Sequence, residues 1–203
     1  MRPAVTVFNS VADIYTEKFF DVSLYKNSLD LLLANLSSGD RLCDLACGPG
    51  NISYYFNQAI PDLFITGIDL SENMLKVASE KMPNANFILN DIASFRDVLH
   101  EKQHLFVCGF GIPYLSTEEL DTMLSEMAIQ LVESGMVYLS FMCGEDQTEK
   151  VYASHDTSKF IHTNFHSELT VKDLAQKKGF ELIHTNRLEA PSKDVEMIFR
   201  LSH

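Results

Sequence analysis

Five short apolar runs alternate with helix-patterned segments along this 203-residue chain, and that alternation restricts the fold more than any other feature. The runs are RLCDLA from Arg41, LFITGIDL from Leu63, NFILN from Asn86, HLFVCGF from His104 and MVYLSFM from Met136. Each is short enough for a buried strand and is followed by helical spacing or a capping signal. Leu29, Leu32, Leu33 and Leu36 mark a helix before the first run, and NISYYFNQAI and SENMLKVASEKM follow the first two, with Ser71 as an N-cap. Ser116 and Glu119 form a capping box ahead of Leu120, Met123, Leu124, Met127 and Leu131, with Gly135 expected to end that helix. Thr170 and Asp173 are expected to open a last helix that stops at Gly179. FELIHTNRLEA and VEMIFRL then follow with no helix between them. The expectation is an α/β fold: a doubly wound, Rossmann-like sheet of seven strands, mostly parallel, with a C-terminal antiparallel hairpin. No repeat or linker divides the chain, so residues 1–203 read as a single domain, with an N-terminal helical cap over 1–38.

Composition narrows the function. Sixteen Lys and Arg against 28 Asp and Glu give a net charge of −12, the wrong sign for a nucleic-acid surface. No apolar run reaches the ~18–20 residues of a membrane span, and MRPAVTVFNS lacks the pattern of a secretory signal. A cytoplasmic protein, monomeric or homodimeric, is expected. Cys43, Cys47, Cys108 and Cys143 are too dispersed for a disulfide framework and read as reduced core thiols, with no metal site.

The stretch between the first strand and its helix, Ala46-Cys47-Gly48-Pro49-Gly50, occupies the place where a doubly wound sheet binds ligands. Glycine there permits positive φ and lets a ligand approach the backbone; the plain alternative is a tight turn. The P-loop is excluded, since no lysine follows Gly50 before Lys76. The dinucleotide fingerprint matches at Gly48 and Gly50 but has Ser53 in place of its third glycine. Asp69 ends the second strand, placed to accept from both hydroxyls of a ribose, and Asp91 follows the third, placed to accept from an exocyclic amine. With no partner for a pyrophosphate, the ligand reads as a nucleoside with a small non-phosphate tail.

These residues resemble the class I S-adenosylmethionine-dependent methyltransferases. LCDLACGPG is similar to that family's first motif through Asp44, Ala46, Gly48 and Gly50, and ITGIDLSENML to its second, ending in Asp69. FILNDIASF, LVESGMVYLSF and SELTVKDLAQKKGFELI resemble later segments. His104 stands where the family usually has an acid, Ala46 replaces the commoner first glycine, and CGFGIPYLS lacks the acids of a magnesium-binding subgroup. The resemblance implies S-adenosyl-L-methionine as cofactor, with adenosine over Asp69 and Asp91 and Leu70 and Ile92 on the adenine faces. It implies a methionine tail crossing Ala46 to Gly50, and extends the cofactor contacts to Asp44, Cys47 and Met74. Tyr15 would meet the tail carboxylate or pack as a helix-face aromatic; Phe110 would face the methionyl group or fill core.

Methyl transfer from a sulfonium depends on positioning and exclusion of water and leaves no obligatory residue signature. The candidates for acid/base work are Tyr114 and His166. Residues 142–169, with His155, His162 and His166, read as a lid or acceptor-binding insertion; His162 and His166 have a spacing that would suit a metal on a helix, with solvated histidines as the plainer reading. Three functions follow: a methyltransferase acting on a small molecule, an NAD-dependent oxidoreductase, or a non-catalytic S-adenosylmethionine-binding regulator.

Overall fold

The computed structural model describes residues 3–153, 156–188 and 194–202. Its main sheet has seven strands in the order β3-β2-β1-β4-β5-β9-β8. These are β1 (Arg41–Leu45), β2 (Phe64–Asp69), β3 (Asn86–Leu89), β4 (Gln103–Gly109), β5 (Leu131–Met142), β8 (Phe180–Arg187) and β9 (Asp194–Leu201). The first five pair in parallel, whereas β9 runs antiparallel between β5 and β8. This is the expected sheet with its closing hairpin. Strand order reverses between β1 and β4, which places the ligand crevice at the glycine loop.

Alternation along the strands builds two cores. Phe106 and Cys108 of β4 join Phe95, Leu120, Met123 and Phe199 on one face. Leu105 and Val107 join Leu29, Leu32, Phe56 and Tyr138 on the other. The covering helices are α3 (Lys26–Leu33), α4 (Asn51–Ala59), α5 (Glu72–Lys81), α6 (Thr117–Gln130) and α7 (Glu168–Lys177). No described helix is long and apolar enough to cross a membrane.

Two boundaries differ from expectation. Helix α6 stops at Gln130 rather than near Gly135. Gln103 pairs with Leu131 but Leu105 with Met136, so the chain bulges between them and Ser134 takes the left-handed φ of 61°. Gly135 serves this close approach instead: a Cβ there would lie 2.8 Å from Leu131 Cδ2. Helix α7 begins earlier than Thr170, because Ser167 Oγ accepts from the Thr170 N–H at 3.1 Å and caps it. Thr170 Oγ1 is occupied elsewhere, donating to Asp146 at 2.6 Å.

Before β1 the chain forms α1 (Pro3–Ser10), α2 (Ala12–Phe19) and a 3-10 turn over Ser23–Tyr25, then α3. Between β5 and α7, β6 (Gln147–Ala153) and β7 (Asp156–Phe165) make a separate antiparallel hairpin. Helix α1 touches both α5 and β7, bridging the carboxyl end of the sheet from one side to the other. His155 lies outside the described residues.

Candidate functional site

The loop after β1 is held open by backbone conformation. Ala46, Gly48 and Gly50 adopt φ of 57°, 53° and 78°. At Gly50 the requirement is steric as well, since a Cβ would lie 2.7 Å from Met82 Cε and 3.1 Å from Ala78 Cβ on α5. At Gly48 a Cβ would meet nothing within 4 Å and would project into open space, so glycine there keeps a cradle clear. Gly50→Ala is expected to lower stability by about 2–3 kcal/mol and Tm by ~4–12 °C, combining left-handed strain with the contact on α5. Thermal unfolding followed by circular dichroism checks this, and an unchanged Tm would contradict it.

Asp69 ties the loop to β2. Its Oδ2 accepts from the Gly48 N–H at 2.9 Å and its Oδ1 from the Ser71 N–H at 2.8 Å. Each oxygen keeps a further lone pair, so the carboxylate can also accept from two hydroxyls. Burial raises its pKa, against the three backbone N–H groups that lower it. Asp91, half-buried, accepts from the Ala93 N–H at 3.0 Å. Leu70 is half-buried beside Asp69, Ile92 buried beside Asp91, and Met74 buried in the first turn of α5.

A small cleft opens beside the loop, bounded by Ala46, Cys47, Gly48, Tyr15 and Phe110 of the expected set. Phe110 is itself left-handed at φ 56° and packs its ring 5.8 Å from Tyr25. Val22, Tyr25, Asn51 and Ser140 also bound the cleft and were not anticipated. Asp44 does not: it is buried behind the loop, accepting from Ser53 Oγ at 2.6 Å. Burial pushes its carboxyl up to about 7, with Asp69 adding to the rise and Ser53 opposing it. The neighbouring thiols of Cys43, Cys47 and Cys108 are pushed up by burial first and by nearby carboxylates next, which keeps them neutral and unreactive.

The N-terminal helices roof this cleft. Asn9 Oδ1 accepts from Ser71 Oγ at 2.6 Å, and its backbone carbonyl accepts from Asn73 Nδ2 at 2.8 Å. Asn51 Nδ2 donates to the Phe19 carbonyl at 3.0 Å. Phe8 sets its ring edge-on to both Tyr15, at 5.8 Å, and Tyr114, at 5.6 Å. The two phenols lie in the field of Asp69; burial raises both pKa values first and that charge raises them further.

His166 is brought near the site but is not solvated. Its Nε2 lies 3.2 Å from the Leu115 carbonyl, in the segment after β4, and its buried Nδ1 has no hydrogen-bond partner. His162 is exposed on β7, edge-on to Phe160 at 5.4 Å. The two histidines thus occupy a strand and its end, not a helix, and the described residues contain no cluster suited to a metal ion. His104 explains its departure from the family pattern: at the opposite end of the sheet, its Nδ1 accepts from the Arg41 N–H at 3.1 Å.

A sheet with β9 reversed between β5 and β8, following five parallel strands, is the class I methyltransferase fold, and it carries a glycine cradle after β1 and acids ending β2 and following β3. Residues 42–135 match the family model described as a methyltransferase domain. Among curated relatives it is 29% identical over 119 residues to trans-aconitate 2-methyltransferase of Yersinia pestis (strain Pestoides F), covering 57% of this chain and 45% of that protein. The chain thus aligns with under half the length of that relative. Among solved structures, an S-adenosylmethionine-dependent methyltransferase from Clostridium acetobutylicum superposes with a TM-score of 0.71 at 17% identity, covering 97% of this chain and all of that one. Magnesium protoporphyrin IX methyltransferase from Synechocystis superposes with a TM-score of 0.71 at 19% identity, covering 98% of each chain.

Proposed function

We propose that the chain transfers a methyl group from S-adenosyl-L-methionine to a small-molecule acceptor in the cytoplasm, acting as a monomer or homodimer. The observation that carries this reading is the open cradle at Gly48, joined through its N–H to the strand-end carboxylate of Asp69. Asp69 would hold the ribose and Asp91 the adenine amine, with Leu70, Ile92 and Met74 around the base. Ala46, Cys47 and Gly48 would carry the methionyl arm beneath Tyr15 and Phe110. When bound, the cofactor supplies a methyl group already activated by a sulfonium. The chain's own task is to orient the acceptor and exclude water. Roofing by α1 and α2 supports the second task, and the 147–165 hairpin against α1 supports a lid or acceptor-binding role for residues 142–169. Tyr114, beneath Phe8, is the better placed of the two acid/base candidates. His166 donates its Nε2–H to the Leu115 carbonyl and is better suited to fixing the segment after β4.

Calorimetry tests the reading: S-adenosylhomocysteine should bind at micromolar Kd and NAD should give no heat, and the reverse would overturn it. Binding without turnover against any acceptor would favour the non-catalytic alternative. The roof has its own test. Asn9→Ala removes the two hydrogen bonds its Oδ1 accepts, from Ser71 Oγ and the Asn73 N–H, so S-adenosylhomocysteine should dissociate about tenfold faster, equivalent to ~1.4 kcal/mol. Stopped-flow displacement measures that rate, and an unchanged rate would mean that α1 does not retain the ligand.

Trans-aconitate, named for the Yersinia relative, is a polyanion. None of the described residues bounding this cleft is lysine, arginine or histidine, which favours a different acceptor chemistry.

A further inference from the structure

Beyond the loop, the cleft ends against β5, and polar groups of β5 and of its neighbour β9 stand there in an otherwise apolar sheet. Ser140 of β5 is 1% exposed and lines the cleft. Its hydroxyl lies beside Tyr138, whose phenol is pushed well up by burial first and by Glu196 next, with Ser140 opposing, and it completes no hydrogen bond. Directly across the ladder, paired with Ser140, is Glu196 of β9, which is wholly buried. Its Oε1 accepts from the Tyr138 hydroxyl at 2.9 Å and its Oε2 from Asn186 Nδ2 at 2.5 Å. Both donors are neutral, and no described cation pairs with it. Asp194 begins the same strand, in register with Met142. Tyr25, which closes this end of the cleft, lies in the field of both acids.

A buried carboxyl group supplied only with neutral donors favours a cation brought by a ligand. The charge flow of methyl transfer points the same way. With an amine acceptor, positive charge moves from sulfur to nitrogen, and a fixed negative group behind the nitrogen stabilises that movement. With a carboxylate acceptor no cation forms, and the approach of the anion is opposed.

Resting on the proposed methyltransferase reading, we infer that the acceptor is an amine, received by the Ser140 hydroxyl with Glu196 as the positioning charge behind it and Tyr25 above. Ser140 Oγ accepts from the nitrogen's N–H. The nitrogen, having given its ammonium proton to water, forms the N–CH3 bond with its lone pair as the S–CH3 bond breaks. The electron pair of that bond stays on sulfur, and a proton from the methylated nitrogen passes to water.

Two probes of similar shape and opposite charge test this: benzylamine and phenylacetate, titrated by calorimetry into protein saturated with S-adenosylhomocysteine. Benzylamine should bind about tenfold more tightly or better. In Glu196→Gln and in Ser140→Ala, each titrated at saturating S-adenosylhomocysteine, that preference should shrink by about threefold or more. A purely structural role for Glu196 would alter melting without altering the ratio. Ser140→Ala, the smaller change, reports the ratio independently of how Glu196→Gln folds. Benzylamine binding no better than phenylacetate, including no binding by either, overturns the inference. Failure of S-adenosylhomocysteine itself to bind overturns the cofactor reading instead, so the two are distinguishable.

Discussion

Asp69→Ala should weaken S-adenosylhomocysteine binding by about 3–4 kcal/mol, two to three orders of magnitude in Kd. Two losses combine. Hydrogen bonds from hydroxyls to a carboxylate contribute ~1.5–3 kcal/mol each, and a ribose offers two of them. The same side chain fixes the cradle, because its oxygens accept from the Gly48 and Ser71 N–H groups. Alanine would leave both amides without their acceptor and release the left-handed turn at Gly48 that keeps the cleft clear. Asp69→Asn separates the two contributions. It retains one acceptor oxygen but turns an NH2 group toward a backbone N–H, so it should impair the loop while preserving volume. Calorimetry on both variants, with melting curves alongside, is the measurement. An affinity within a few-fold of the parent for Asp69→Ala would remove the ribose assignment and, with it, the main geometric support for the proposed cofactor.

What the sequence disclosed and what it withheld follow from how local each cause is. The glycine loop, the Ser71 cap and the Ser116–Glu119 capping box are determined by residues a few positions apart, and all three are formed as read. Helix α6 overran its true end in the reading because its stop depends on Leu131 pairing with Gln103, a partner 28 positions earlier. The roof was legible as helix but not as roof, since Asn9 acts through Ser71 and Asn73. Asp44 matched a motif, yet its position behind the loop depends on Ser53 from the following helix. The acceptor end was missed although a signal was present. Ser140 in MVYLSFM and Glu196 in VEMIFRL are polar residues inside runs that bury both faces, and such residues need a partner from the protein or from a ligand.

Asp44→Asn should stabilise the protein increasingly as pH rises. The Asp44 carboxyl is lifted from 3.8 to about 7 in the folded chain, chiefly by burial. Its folded pKa therefore lies above its unfolded value, so folding takes up a proton between those limits. Its favourable contribution is complete below pH 3.8 and is lost as pH rises through about 7. Above that range the ionised side chain opposes folding by ~4 kcal/mol relative to a neutral isostere, at about 1.4 kcal/mol per pH unit. Asparagine keeps an oxygen for the Ser53 hydroxyl and carries no charge. Relative to the parent, its advantage should grow by about 3 kcal/mol between pH 4.5 and pH 8, or ~6–12 °C in Tm. Taking the difference between the two proteins cancels the titration of groups they share, apart from Asp69, whose charge contributes to the lift. Melting curves across that range decide the matter. A constant difference would mean that Asp44 ionises equally in the folded and unfolded chains. The same measurement with S-adenosylhomocysteine present would show whether the ligand's ammonium lowers the Asp44 pKa through the loop, as a cation placed over Gly48 should.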